Sequence, residues 1–455
     1  MHAIVVVLGD VGRSPRMQYH AASLLENGHS VSLIGYEGEK LISALIGKNE
    51  RLQVFRFSVP APKSLRKILP LYLFVRASLL FFFVFRALFQ AARNRTVDVV
   101  LVQNPPAMPL LFVTHLYCLI RGIVSGHRPA FVIDWHNLGY SMLDNKLFSA
   151  IARVYEKFMA PYATAHLCVT AAMKLFLQTH FDVPHEKISV LHDCPPNMFQ
   201  PLSIEDQHEL LSRLHKVLCS ACPKHWHENL NPTEQTLLTE ISDTGGYEFR
   251  KNRPCFLVSA TSWTPDEDFG ELLDALVRLD RRIRLQKSSL KVLMVVTGKG
   301  PQKEHYLERI SQLKLESIAI QTLWLEPADY PRLLACADLG VSLHTSTSGL
   351  DLPMKVLDLF GCAVPVCARN FSCLSELVKD GTNGKVFDSS SELEEQLWGL
   401  LEKLDGSQRR SPHSYGDLAE YSQALQNQTR WNENWGKHAL PVLRGNSRDF
   451  QGDVK

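Results

Sequence analysis

Residues 3–34 read AIVVVLGDVGRSPRMQYHAASLLENGHSVSLI. A β-branched run (3–8), a glycine turn, a helical stretch (17–27) closed by Gly28 and a second β-branched run (31–34) make one strand–helix–strand unit. Gly28 suits the left-handed residue that ends a helix. Strands at 97–102, 130–133 and 188–191 continue the pattern, which is that of a parallel sheet wound on both faces. Past residue 252 the alternation restarts with strands at 255–260, 291–297, 339–343 and 364–367 and helices between them. The fold class expected is α/β, with two doubly wound Rossmann-like domains facing each other across a cleft, since ligands bind at the carboxyl ends of such strands. The expected division is a first domain at 1–200, an insert and linker at 201–252, a second domain at 253–403, and a polar segment, return helix and tail at 404–455. Trp431 and Trp435, four apart, share a face of that return helix and are expected to dock it.

With 455 residues, 45% of them hydrophobic and 21% charged, the chain has material for two buried cores. Lys+Arg at 49 against Asp+Glu at 47 excludes a basic field, so no nucleic-acid partner is expected. Cys168, Cys255, Cys336, Cys362 and Cys367 lie inside apolar runs, where reduced thiols behave as small hydrophobes, which fits a reducing compartment. Residues 1–8 read as a first strand and not as a secretory signal, so the folded domains are expected in the cytosol. Cys219, Cys222, His225 and His227 are zinc-ligand types, but the second pair lies too close to the first for a zinc finger, and no metal site is expected.

Residues 68–89 (ILPLYLFVRASLLFFFVFRALF) are long enough to span a bilayer, but Arg76 and Arg86 interrupt them. A helix lying in the interface keeps its guanidinium groups among headgroups and its Phe/Leu face in acyl chains. An interfacial helix over about 68–92 is therefore expected; the competing readings are a buried core helix and a true span.

The chemistry-bearing residues fall at strand ends. Gly9, Asp10, Gly12 and Arg13 form a turn whose N–H groups can meet an oxyanion or a sugar, although the spacing is not a dinucleotide fingerprint and a simple tight turn explains it equally. Gln103 and Asn104 offer amides held by the following prolines. Asp134-Trp135-His136-Asn137 joins a carboxylate, an indole plate and an imidazole, which suits proton transfer beside a sugar ring, and Tyr155-Glu156 either steadies it or is a surface pair. His192 and Asp193 are adjacent on one strand, point apart, and read as loop. In the second half, Lys299 sits in a strand–glycine turn (TGKGP, 297–301), and Ser348, Gly349, Asp351, Lys355 and Asp358 occupy a loop and helix start. That set suits a nucleoside diphosphate, with N–H groups and Lys355 for phosphates and Asp358 for sugar hydroxyls; an ordinary capped helix with a Lys355–Asp358 ion pair is the plainer alternative.

The second half resembles the donor domain of GT-B glycosyltransferases. The motifs GDVGRSPRMQYHA (9–21), QNPPAMP (103–109), DWHNLGYSM (134–142), YEKF (155–158), SWTPDEDF (262–269), TGKGP (297–301), WLEPADYP (324–331) and HTSTSGLDLPMKVLDLFGCAVPVC (344–367) are similar to those of the chitobiosyldiphosphodolichol β-mannosyltransferase family. The resemblance covers nearly the whole chain outside 203–252 and the tail. It implies a GT-B fold, GDP-mannose bound by the second half, and GlcNAc₂-PP-dolichol presented by the first. It also implies inverting transfer of the first, β-1,4-linked mannose at the cytosolic face of the endoplasmic reticulum membrane. Partners then include the ER membrane surface, with other dolichol-pathway glycosyltransferases as candidates. The residues themselves, not the resemblance, point to His136 or Asp134, with Asp10 third, as the expected base, and to Gly9, Gly12, Arg13, Lys299, Ser348, Gly349, Asp351, Lys355 and Asp358 as the expected substrate and donor contacts. No tightly bound cofactor is implied, and Mg²⁺ stays open as a helper of GDP departure. Retaining relatives carry two glutamates with seven residues between them, whereas Asp351 and Asp358 have six between, which suits an inverting relative. The N-terminal span that many members carry is not seen, leaving 68–89 as the expected, peripheral membrane contact. The rivals are a catalytically silent scaffold subunit, which would have lost donor-site residues, and a later retaining GDP-mannose transferase, which differs in the anomer of its product.

Overall fold

The structure, a computed structural model, describes residues 1–46, 50–60, 68–93, 95–404 and 416–445. It divides into two compact units, the first comprising Met1–Asp193 and the chain from Trp431 onward, the second Cys194–Arg430.

In the first unit, β1 (His2–Asp10), α1 (Pro15–Glu26), β2 (Ser30–Tyr36), β3 (Leu52–Phe57), α2 (Leu69–Ala91), β4 (Val99–Asn104), α3 (Leu110–Ser125), β5 (Ala130–Trp135), α4 (Lys146–Met159), β6 (Ala165–Cys168), α5 (Ala171–Phe181) and β7 (Ile188–Val190) follow in order. The strands form one sheet in the order β3-β2-β1-β4-β5-β6-β7, paired in parallel throughout. Ala3 to Val6, Val99 to Val102 and Phe131 to Ile133 are buried, as expected of strands covered on both faces. The strand order reverses between β1 and β4, so the loops after β1, β4 and β5 meet at the switch point, where such sheets bind ligands.

In the second unit, α6 (Ile204–Cys219) and a hairpin of β8 (Thr239–Ile241) and β9 (Tyr247–Phe249) precede the main sheet. Then come β10 (Cys255–Ala260), α7 (Phe269–Leu285), β11 (Val292–Thr297), α8 (Lys303–Gln312), β12 (Ile318–Leu323), α9 (Asp329–Ala335), β13 (Leu339–Ser342), α10 (Met354–Gly361), β14 (Val366–Arg369), β15 (Gly384–Phe387), α11 (Ser390–Leu401) and α12 (Gly416–Gln426). The sheet order is β12-β11-β10-β13-β14-β15, again parallel.

The expected insert at 201–252 is not a linker. Ser203 caps α6 through Asp206 N, and Leu210, Leu211 and Leu218 join the core that holds Phe256, Val258 and Leu293. Cys219 and Cys222 belong to that core too, and burial pushes their thiols up to about 11 and about 12, so they pack as small hydrophobes. The chain therefore changes unit after Asp193, and it returns after Arg430. The returning helix, α13 (Trp431–His438), is followed by α14 (Leu440–Leu443). Both tryptophans are buried: Trp431 Nε1 donates to Ser23 Oγ at 3.0 Å and Trp435 Nε1 to His20 Nδ1 at 2.8 Å, docking α13 on α1. The polar stretch 405–412 and the tail from 446 lie outside the described residues.

The stretch expected to lie in the interface is one helix with two characters. Leu80, Val84, Ala87, Leu88 and Ala91 of α2 are buried, whereas Leu71, Leu73, Phe74 and Phe82 are exposed. The exposed Arg76 folds back to Tyr72 Oη at 2.8 Å. The core-helix reading thus holds for the C-terminal half only.

Candidate functional site

In the first unit the site is built around Asp134, at the end of β5 and wholly buried. Arg16, in the first turn of α1, clamps it with Nε to Oδ2 at 2.8 Å and Nη2 to Oδ1 at 2.9 Å. The third guanidinium nitrogen, Nη1, reaches Asp193 Oδ1 at 2.6 Å and the Leu191 carbonyl at 3.0 Å. Two imidazoles complete the cluster, His20 Nε2 at 3.0 Å and His136 Nε2 at 2.8 Å, both on Asp134 Oδ2. Burial alone would raise this carboxyl, but the guanidinium and the imidazoles hold it well below the usual carboxylate range. It is therefore ionised and can only accept hydrogen bonds.

That constraint fixes the protons. Trp435 N–H can only donate, so His20 Nδ1 is unprotonated and its Nε2–H donates to Asp134; burial keeps this ring neutral. His136 Nε2–H likewise donates to Asp134. In the neutral ring Nδ1 then carries the lone pair, and it has no protein partner among the described residues. With its side chain 20% exposed, His136 turns a carboxylate-backed ring toward solvent, and Asp134 orients it. Asp134 itself, clamped and buried, is no base.

Asp10 is occupied as well. Its Oδ1 accepts from Gly12 N at 2.9 Å and its Oδ2 from Glu39 N at 3.0 Å, so the carboxylate ties the β1–α1 turn to the loop after β2. Gly12 is required there because a Cβ would come within 2.5 Å of the Glu39 carbonyl oxygen. Gly9 begins the same turn, and the exposed Arg13 pairs with Glu39 at 3.2 Å and Asp10 at 3.5 Å.

Beside His136, Glu156 is not a surface residue. It is wholly buried, its Oε1 accepts from Asn104 Nδ2 at 3.1 Å and Gly139 N at 2.9 Å, and burial pushes it up to about 7 against those hydrogen bonds. It anchors the loop that begins at His136.

The second unit gathers Lys355, Glu267, Ser262, His344 and Asp351. Lys355, in the first turn of α10, bonds Ser262 Oγ at 3.1 Å and ion-pairs with the buried Glu267, so the Lys355–Asp358 pair of the plainer alternative is not formed. Glu267 also accepts from Thr261 Oγ1 at 2.8 Å and Ser262 N at 2.5 Å. Burial would raise Glu267, but His344 and Lys355 hold it at about 2. Burial would lower His344, yet Asp351 and Glu267, within 3.7 and 3.8 Å, lift it to about 9, so it is an imidazolium at neutral pH. Asp351 also takes the Ser346 hydroxyl and, at 3.4 Å, the Ser348 hydroxyl, fixing the loop before α10. In that loop Gly349 adopts φ +73°. Pro353 caps α10 without a side-chain hydrogen bond, which leaves its first N–H groups for a ligand.

Lys299 lies over the exposed Trp324 ring, 3.8 Å from its centroid, in a turn where Gly298 (φ +134°) has no room for a Cβ against the Thr261 carbonyl. Asp358 stands apart from this cluster, 3.4 Å from Tyr330 Oη, and burial pushes it up to about 7. Among the described residues no group of three His, Cys, Asp or Glu side chains could hold a metal ion.

Sequence reasoning missed Arg16, His20, Glu267, His344 and Trp324. The i, i+4 spacing of Arg16 and His20 on the buried face of α1 was a usable signal; the pairing of Glu267 with Lys355, far apart in sequence, was not.

A match to the family described as "Glycosyltransferase Family 4" spans residues 16–194, and one to "Glycosyl transferases group 1" spans 255–403. The chain is 38% identical to the UDP-glycosyltransferase TURAN of Arabidopsis thaliana over 97% of both chains. It is 40% identical to the chitobiosyldiphosphodolichol beta-mannosyltransferase of Mus musculus (97% of this chain, 89% of the relative) and 39% to that of Homo sapiens (97% and 92%). Among solved structures, a glycosyltransferase of Rickettsia africae ESF-5 matches at TM-score 0.61 and 14% identity, covering 98% of this chain and 99% of that one. Anabaena Alr3699/HepE, in complex with UDP, matches at TM-score 0.60 and 16% identity over 98% of both. These two show the fold.

Proposed function

Because the chain belongs to the chitobiosyldiphosphodolichol β-mannosyltransferase family, glycosyltransferases of GT-B fold, we propose that it transfers the first mannose from GDP-α-mannose to GlcNAc₂-PP-dolichol with inversion, forming a β-1,4 linkage. The observation that carries the reading is 40% identity, across 97% of the chain, to a relative named for this activity.

His136 Nδ1 takes the proton of the acceptor's 4-hydroxyl as that oxygen attacks mannose C1 from the side opposite the diphosphate. Asp134, ionised by Arg16, steadies the imidazolium. Charge then builds on the departing GDP. Lys355, Lys299 and the free N–H groups at the start of α10 are the groups that take it up, and a preorganised donor of this kind is worth roughly 2.7–4 kcal/mol. Glu267, held ionised, keeps Lys355 aimed until the diphosphate competes for it. The carboxylates of this cluster are already engaged by Lys355, His344 and the loop hydroxyls, so among the described residues this cluster has no free set of Mg²⁺ ligands, and an ion assisting departure would arrive with the diphosphate.

The test offers purified protein radiolabelled GDP-mannose, and in parallel UDP-glucose and UDP-N-acetylglucosamine, with GlcNAc₂-diphospho-phytanol, with and without EDTA. The expected product forms only from GDP-mannose and yields to β-mannosidase. Transfer from a UDP-sugar alone, the donor class in the name of the Arabidopsis relative, or a product resistant to β-mannosidase, would overturn the reading.

We also propose peripheral attachment to the cytosolic face of the ER membrane. Besides the exposed apolar residues of α2, α4 turns Leu147, Ile151, Val154 and Phe158 outward at i, i+4, i+7 and i+11, with Lys146, Arg153 and Lys157 alongside. An apolar stripe edged by cations suits an anionic bilayer surface. In flotation with vesicles of phosphatidylcholine and phosphatidylinositol, the wild type is expected in the lipid fraction. The quadruple variant Phe74→Glu, Phe82→Glu, Val154→Glu, Phe158→Glu is expected to remain with free protein; its flotation with the vesicles would overturn this attachment.

A further inference from the structure

Between α4 and the last turn of α5 the first unit carries a groove of about 680 Å³, lined by Tyr140, Lys146, Ser149, Arg153, Lys157 and His180 among others. No carboxylate is among its lining residues. Lys146, Arg153 and Lys157 follow one another at i, i+7 and i+11, so they stand in one row along α4. Toward the end of that helix Lys157 meets Asp182 at 3.0 Å, an exposed pair of little worth. Lys146 and Arg153 have no carboxylate partner among the described residues. The Arg153 guanidinium instead lies over the Tyr140 ring, 5.7 Å from its centroid, and the Tyr140 hydroxyl hydrogen-bonds no protein group among the described residues. Two unpaired cations and a hydroxyl donor lining one groove make an anion site, because like charges held together repel until something neutralises them.

The residue after each cation is apolar and exposed: Leu147, Val154 and Phe158, which with Ile151 form the stripe assigned above to the bilayer. A cationic row thus runs directly beside an apolar one, and the ligand suited to both has an anionic head joined to a long hydrocarbon chain. The groove also has a direction. Tyr140 lies four residues after His136, so the two are at most ~14 Å apart. Ser149 Oγ donates to the Tyr140 carbonyl at 2.8 Å, which ties this loop to α4. An anionic phospholipid would satisfy the two rows but has nothing to send toward His136. A lipid-linked sugar diphosphate does, since the two rings of chitobiose separate its diphosphate from the hydroxyl that reacts.

We propose that this groove binds the diphosphate of the acceptor between Lys146 and Arg153, with the Tyr140 hydroxyl donating to it and the polyprenyl chain leaving along Leu147, Ile151 and Val154 into the bilayer. The inference rests on the function proposed above, since it concerns the same acceptor. Held at its diphosphate, the chitobiose extends along the loop that leads back to His136. Lys146 and Arg153 then fix how far the sugar reaches, and they make the enzyme demand a charged link between sugar and lipid.

The test compares two acceptors in neutral detergent, where no anionic bilayer contributes: GlcNAc₂-diphospho-phytanol, and chitobiose joined to phytanol by an uncharged glycosidic bond. With wild-type protein and saturating GDP-mannose, kcat/KM is expected to favour the diphosphate acceptor by roughly 10²-fold, about tenfold for each of two charge-assisted contacts. The double variant Lys146→Gln, Arg153→Gln changes two exposed side chains and so keeps its fold. Its preference should collapse toward unity through a raised KM for the diphosphate acceptor, with KM for GDP-mannose unmoved. Arg278→Gln with Arg281→Gln, on the exposed face of α7, removes the same net charge and should keep the wild-type preference. A wild-type preference near unity overturns the proposal, as does an equal loss in the α7 variant. An unchanged preference in the α4 variant overturns it too; if that variant also fails to float with phosphatidylinositol vesicles, the cations serve the bulk anionic lipid instead. Failure of wild-type protein to use either acceptor would sink the parent reading, and this one with it.

Discussion

Replacing His136 by alanine lowers kcat by about 10²–10⁴-fold, the range for loss of a positioned general base, and leaves GDP binding unchanged. On the proposed mechanism the effect is confined to turnover, because the ring would meet the acceptor's proton and not the nucleotide. Its Nε2–H is committed to Asp134, and its Nδ1 is the lone pair left for the substrate. Asp10→Ala should differ in kind. Both oxygens of that carboxylate serve backbone N–H groups, so its loss loosens the β1–α1 turn without removing the base. Single-turnover rates with GDP-mannose in excess, set beside calorimetric titration with GDP, separate the two outcomes. Turnover of His136→Ala within about tenfold of wild type would withdraw the imidazole from the proton transfer.

Arg16→Met acts on stability before it acts on catalysis. The substitution leaves Asp134 wholly buried with no full positive charge against it, and breaking a buried ion pair from one side costs roughly 3–5 kcal/mol. For a unit of this size that lowers Tm by on the order of 10 °C. Asp134 would recover neutrality by taking a proton, and a protonated carboxyl no longer stabilises an imidazolium, so the surviving protein should turn over slowly as well. Removing the clamped pair, as Arg16→Met with Asp134→Leu, should recover part of the stability and none of the activity, since an apolar pair of similar volume often replaces a buried ion pair at little cost, although Asp193 still loses its Arg16 partner. Thermal unfolding of wild type, single and double variants decides it. A single variant melting with the wild type would mean that the cluster carries no such load.

Much of the architecture was legible because buried parallel strands are written as unbroken apolar runs: AIVVVL and CFLVSA permit little else. The strands of the two main sheets that escaped notice are β3, β6, β12 and β15. Three of these lie at or toward sheet edges where exposed faces admit polar residues, as in LQVFRF, and β6 is only four residues long. The reading of 201–252 as a linker went wrong for a related reason. The apolar stripe of α6 is diluted by the charged residues of its exposed face, and periodicity shows what average composition hides. At the site, residue types at strand ends could be read, since strand ends are where such sheets work. Which groups neutralise which could not. Asp134 has the residue type and strand-end position of a base, but Arg16 clamps it; Lys355 has the spacing to meet Asp358, but Glu267 holds it. Such partnerships join positions 118 and 88 residues apart, and no local pattern records them.

The docking of α13 on α1 carries a consequence for how the molecule is made. The ribosome releases the strands and helices of the first unit, then the whole of the second, and only afterwards the tryptophan whose indole sets the tautomer of His20. The hydrogen-bond network behind His136 is therefore completed only after the second unit has been made, so a nascent chain that has just released Arg430 has the whole second unit available to fold while His20 of the first still waits for the indole that fixes its tautomer.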